Sequence, residues 1–196
     1  FSRVQGLNWG RSVKTDLKLQ ADLAAATKHM EFVCELYALQ VESGRYFLHE
    51  NPSTASSWQL TCIQKVMGWI NSRVVESDQG MYGLETWDTK IGWGAAKKPT
   101  KFMTNSEMVA RELGRKCDGS HDHIHLLSGR AGPAAIYPKG LCAAICRGLA
   151  KQKRLDAWGL SAVGEVSADG CQADWKDEHH EEDGAPVEAG VFEGVK

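Results

Sequence analysis

Apolar residues recur at four-three spacing through Leu19, Leu23, Ala26, Met30, Val33 and Tyr37, which predicts one face of a long helix ending near Gly44. Next comes Arg45-Tyr46-Phe47-Leu48-His49-Glu50-Asn51-Pro52, which reads as a buried strand, with Tyr46 to His49 at its centre and an acid at its carboxyl end. Helix-start residues from Ser53 to Ser57 introduce a second stripe, Trp58, Ile63, Val66, Met67 and Ile70. Arg73 to Glu76 predicts a short strand. Asp78 to Leu84 follows it, and a loop rich in Gly, Trp and Lys runs to Lys98. Thr100 to Met103 is a third strand, and Thr104-Asn105-Ser106 opens a helix from Glu107 to Leu113. His123 to Leu127 completes the strands, and Pro138 starts a helix carrying Leu141, Ala144, Ile145 and Leu149.

Alternating helices and short strands predict an α/β domain with three or four strands and flanking helices. The domain is placed at residues 1–154, opening with a polar loop to about Val13. Residues 155–196 lack periodicity and are rich in Gly, Ala, Glu and Asp, so a disordered acidic tail or linker is expected. No Gly-rich strand-to-helix turn occupies the expected first position. Gly80-Met81-Tyr82-Gly83 lacks the spacing and the Lys-Ser/Thr partner of a phosphate loop. The pattern is that of half a domain.

Charge changes this picture modestly. The tail from Glu165 to Lys196 holds ten acids against Lys176 and Lys196, a net of -8, so the remainder carries +6 of the overall -2. A basic body is compatible with nucleic acid, and equally with an ordinary surface. The chain shows no membrane span and no secretory signal, so an intracellular place, cytoplasmic or nuclear, is expected. Six scattered cysteines, with Cys142 and Cys146 on an apolar helical pattern, suggest reduced core thiols. The opening Phe1, rather than Met, suggests a segment cut from something longer.

Three groups of residues can carry chemistry. Glu50 follows a strand in a helix-strand-helix unit, at the sheet edge where α/β proteins bind ligands, although an acid there can also cap the next helix. Cys117, His121, His123 and His125 have a Cys-x3-His-x-His pattern that could hold zinc, without the paired Cys-x2-Cys spacing of a strong zinc motif. Trp87 and Trp93 lie among Lys90, Lys97 and Lys98 and could stack on unpaired bases, or simply fold back on their own loop. Trp58 reads as a core anchor.

These residues, in this order, resemble the C-terminal half of a DNA cytosine-5 methyltransferase catalytic domain. The likeness is to the methyltransferase-like segment of some retroelement (copia-type) polyproteins upstream of a reverse transcriptase. Phe1-Ser2 resembles the end of that family's Pro-Cys-x-x-Phe-Ser nucleophile motif. Glu50-Asn51-Pro52 is similar to its Glu-Asn-Val, Tyr82-Gly83 to the Tyr-Gly after the next strand, and Tyr137-Pro138 with the Leu141–Leu149 helix to its closing helix. The chain departs from the family where Gln-x-Arg-x-Arg is expected, having Lys97-Lys98-Pro99-Thr100-Lys101 instead.

The resemblance implies a partial Rossmann-like methyltransferase fold. It implies that Glu50 is the acid at cytosine ring nitrogen 3, with Asn51 orienting it or bonding the pocket. Such chemistry adds a cysteine thiolate to carbon 6 of a base flipped out of the duplex. Lys97, Lys98 and Lys101 would contact phosphate. S-adenosylmethionine would serve the full-length parent, with no cofactor expected on this fragment, whose enzyme status stays open because nucleophile and donor site lie elsewhere. The implied partners are nucleic acid (DNA ahead of RNA), an upstream methyltransferase half and downstream polyprotein segments, and no membrane. The alternatives are a catalytically dead nucleic-acid-binding module and a zinc-dependent interaction module.

Overall fold

The four-three stripe forms helix α1 (Leu17–Glu42) in the computed structural model, which describes residues 17–159 apart from 91 and 128. The expected polar opening loop and nearly all of the expected acidic tail lie outside the described residues, as does the side chain of Leu19. Met30 and Cys34 are buried, with Tyr37 and Val41 packed beside them. The helix ends at Gly44, whose φ of +66° lets Gly44 N–H reach Val41 O and Arg45 N–H reach Gln40 O. Those two bonds satisfy carbonyls of the last turn.

The strand after it, β1 (Leu48–Pro52), begins later than its sequence suggests. The Phe47 N–H is taken by Asn105 Oδ1 and the Arg45 carbonyl by Asn105 Nδ2, so a side chain, not a ladder, holds the chain before Leu48. Glu50 is therefore the third of five strand residues, not an acid at the strand's end.

The expected second helix is also corrected. It divides into a 3-10 turn (Ser56–Gln59) and helix α2 (Thr61–Met67), because Leu60 between them is extended at ψ 137°. Ile70 falls beyond the helix and is exposed.

β2 (Arg73–Asp78) follows, then a 3-10 turn (Gln79–Tyr82). The expected loop to Lys98 is instead a hairpin of β3 (Glu85–Asp88) and β4 (Gly92–Lys97). β5 (Pro99–Thr104) leads to α3 (Glu107–Leu113), where Ser106 Oγ accepts from the Val109 N–H as the expected cap. β6 (Ile124–His125), a 3-10 turn (Pro133–Ala135) and α4 (Lys139–Ala157) complete the described chain. Because α4 runs to Ala157, the boundary drawn at 154/155 falls inside a helix.

The described residues form a mixed α/β fold with six strands in two small sheets, more than the three or four expected. The first sheet has the order β1-β5-β2, with both outer strands antiparallel to β5 and hence parallel to each other. The second is β3-β4-β6, in which β6 runs parallel to β4. Phe102 and Met103, neighbours on β5, are both buried, and strand alternation sends them to opposite faces. Met103 joins the core under α1 and α2 with Trp58, Ile63 and Val66. Phe102 joins the core under α3 and α4 with Tyr82, Val109, Leu113, Leu141 and Ala144.

Leu141, Ala144 and Gly148 make the buried stripe of α4, which leaves Cys142 and Cys146 exposed rather than in the core. All five described cysteines are free, and burial, followed by the neighbouring Cys62, pushes the Cys34 thiol up to about 12.

At Gly148 the two helices touch backbone to backbone. A Cβ there would sit 2.7 Å from Val109 Cα and 3.0 Å from Met108 O. Gly148→Ala is thus expected to destabilise by about 1–3 kcal/mol, although Ala is the better helix former by ~1 kcal/mol. Urea unfolding checks this, and a stabilised variant would show that α3 and α4 do not meet there.

Candidate functional site

β1 is the outer strand of its sheet, and Glu50 projects from it onto the side covered by α4. The Tyr137 hydroxyl donates to Glu50 Oε2 at 2.7 Å. Lys98 stands over the Tyr137 ring, its Nζ 5.6 Å from the centroid, and donates to Ala134 O at 2.7 Å. Burial lowers the Lys98 pKa, and the charge of Glu50 works against that shift. Burial first, then the bond to Glu50, raises the Tyr137 phenol well above its ordinary value, so it stays a proton donor. Carboxylate, phenol and ammonium thus share one site.

Glu50 and Tyr137 open into a cavity of about 310 Å³ whose walls include Tyr37, Leu48, Phe102 and Leu141. That volume is at the lower limit, ~300 Å³, of small-molecule sites. A carboxylate at such a wall can accept from an amino group and share a proton with a ring nitrogen.

Asn51 is one residue further along the strand and so faces the other way. Its amide donates to Ser57 Oγ at 3.1 Å and to His49 Nε2 at 3.3 Å, rather than to Glu50. His49 is 6% exposed, and burial lowers its pKa to about 4, so the ring is neutral. With Nε2 accepting from Asn51, Nδ1 carries the proton and donates to the Tyr37 oxygen, 2.9 Å away. Burial, then Cys34, pushes the Tyr37 phenol up to about 12. This network braces β1, and its members Tyr37 and His49 also reach the wall of the Glu50 cavity.

The three lysines of the expected phosphate contact point to different places. Lys97 is exposed on β4, whereas Lys98 belongs to the Glu50 cluster. Lys101 pairs with Glu76 at 3.6 Å and lies 5.5 Å from the centroid of the Trp58 ring. Trp58 itself is buried.

Trp87 and Trp93 face each other across the β3–β4 hairpin, rings 6.1 Å apart, and are 52% and 69% exposed. Arg130 is held against them, donating from Nε to Trp87 O and pairing with Asp88 at 2.5 Å. Together they border a second cavity of about 360 Å³.

Cys117, His121 and His123 come together, with ligand atoms within 4.8 Å of one another. His125 is not in that group; it lies on β6 opposite Lys97. His179 and His180 lie outside the described residues.

No protein-family model, curated protein or solved structure matches this chain.

The site contains residues that sequence reasoning passed over. Tyr137 was noted only beside a closing helix, and its phenol reaches Glu50 across 87 positions. His49 carried a readable signal: with Phe47 and Asn51 it occupies alternate positions on one strand face. Arg130 carried none.

Proposed function

We propose that this chain is a nucleic-acid-handling module, built like the C-terminal half of a cytosine-5 methyltransferase domain of the kind some retroelement polyproteins carry. In it Glu50 is the group that meets an extrahelical cytosine. The observation that carries this reading is the Glu50–Tyr137 pair at the cavity beside the outer strand, with Lys98 over the phenol ring. The phenol fixes one carboxylate oxygen, and a carboxylate at a cavity wall can accept from the amino group of a base.

Two further features support it. β1 and β2 run parallel and are joined by a helix, as a Rossmann-like sheet requires, with antiparallel β5 inserted between them. The outer edge of β1 and the exposed Phe32, Leu36 and Leu39 of α1 are surfaces that a preceding half-domain would cover.

On this reading the methyl donor and the nucleophilic cysteine belong to the preceding half-domain, so it assigns Glu50 a base contact and assigns these residues no methyl transfer. Among the described residues no helix is long and apolar enough to cross a membrane.

The exposed Trp87–Trp93 pair favours a second reading, a binding module that stacks on unpaired bases without any role for Glu50.

One experiment separates them: binding of the chain to duplexes carrying a single unpaired cytosine or thymine. Glu50 accepting from the cytosine amino group predicts a preference for cytosine of about tenfold or more, abolished in Glu50→Ala. A preference unchanged in that variant removes Glu50 from recognition. Equal binding of both duplexes that weakens in Trp93→Ala establishes the second reading, and no binding at low salt refutes both.

A further inference from the structure

We propose that Cys117, His121 and His123 form a zinc site, a thiolate and two imidazoles with solvent in the fourth position. It is separate from the Glu50 cavity and does not depend on that reading.

The geometry is near what an ion needs. Zinc bonds of ~2.0–2.3 Å in a tetrahedron put neighbouring ligand atoms about 3.5 Å apart. Cys117 Sγ is 3.8 Å from Nε2 and 4.0 Å from Nδ1 of His121, and the two histidine rings have centroids 4.6 Å apart. Small rotations of side chains in this loop close the remaining distance. One thiolate with two imidazoles is a borderline-soft set that suits zinc and disfavours magnesium or calcium.

The surroundings hold the sulfur in place. The Gly119 N–H points at Cys117 Sγ, 3.3 Å away, and Gly119 can aim it because its φ is +79°. An amide donating to sulfur stabilises the charged form and fixes its direction. The Cys117 N–H is held by Asp78 Oδ2 at 3.0 Å, while Arg115 O accepts from the Asp78 N–H and from Ser77 Oγ. The cysteine end of the loop is therefore fastened to β2.

The histidine end is fastened elsewhere. His123 directly precedes Ile124, which is buried and paired with Ala96 of β4. An ion held by Cys117 and His123 thus links the first sheet to the second. β6 has only two residues, so its own ladder holds it weakly, and a metal bond at its entrance supplies a firmer hold.

The test uses the full chain, reduced, stripped with a chelator and titrated with cobalt(II), then zinc. The expected result is one cobalt per chain, with a thiolate-to-cobalt charge-transfer band that zinc abolishes. Cys117→Ser removes the band, and His121→Ala and His123→Ala each weaken binding by at least about tenfold, a loss seen even for the outer partners of metal ligands. Cys142→Ser with Cys146→Ser, Cys171→Ser, His125→Ala, and His179→Ala with His180→Ala all leave the band unchanged. Zinc raises the Tm of the wild type and not that of His123→Ala. The histidine variants decide the question even if the serine variant does not fold. The proposal is overturned by the absence of a charge-transfer band. It is overturned equally by a band that persists in both histidine variants at wild-type affinity, or by one lost with Cys142 and Cys146.

Discussion

Trp58→Ala is expected to lower the unfolding free energy by about 4 kcal/mol, the range for removing a large aromatic from a packed core. The indole is 2% exposed and packs in the core beneath α1 and α2 with Ile63, Val66 and Met103. It has polar ties as well: Nε1 donates to Pro52 O at 2.9 Å, and the ring stands edge-on to His49 at 5.0 Å. Alanine therefore leaves both a void and a carbonyl without its donor. Trp58→Phe restores most of the volume and should recover more than half of the loss. Since whole domains are stable by only ~5–15 kcal/mol, the alanine variant would stand near its limit. Denaturant unfolding measures this. A loss below ~1 kcal/mol would mean that the indole is not an anchor.

Acid should destabilise the protein through His49 before its carboxylates are touched. The folded imidazole takes a proton only near pH 4, against an ordinary value of 6.5, because it is buried. Between those two values the unfolded chain binds the proton and the folded chain does not. Stability is thus fully present above pH 6.5 and falls as the pH drops towards 4, by roughly 3 kcal/mol at 1.36 kcal/mol per pKa unit. Glu76, Glu107 and Glu112 have pKa values lowered from 4.5, chiefly by Lys116, Arg73 and Lys151 respectively, so their contributions are lost further down. Unfolding free energies from pH 7.5 to 4.5 should slope in the wild type and be nearly flat in His49→Gln. Identical slopes would refute a buried neutral histidine. The two expectations are coupled, since Trp58 covers His49. Removing the indole admits water, and the acid slope should shrink with it.

What could be read from the sequence was what is local. The α1 stripe, the Ser106 cap with α3, and the start of α4 at Pro138 depend on neighbours within a turn or two, and each lies close to where periodicity put it. The β3–β4 hairpin did not announce itself, because Gly, Ala and Trp in Gly92–Lys97 show no alternation of apolar and polar. Cys142 and Cys146 looked like core residues because the buried stripe of α4 is narrower than its composition implies, running through Leu141, Ala144 and Gly148 only. Glu50 was identifiable as a candidate from the strand that carries it. Its partners were not, since Lys98 and Tyr137 reach it through the third dimension from 48 and 87 positions away.

The order β1-β5-β2 has a consequence for how the chain is made. Among the described residues β1 and β2 share no ladder, and each pairs only with β5, the last of the three to be synthesised. At ~5–20 residues per second, the 26 positions from Asp78 to Thr104 separate the end of β2 from the end of β5 by about one to five seconds. Throughout that interval a nascent chain presents two strands with nothing between them. A ribosome paused inside the β3–β4 hairpin would hold the protein at its most adhesive, which makes translation speed across residues 79–104 a determinant of yield.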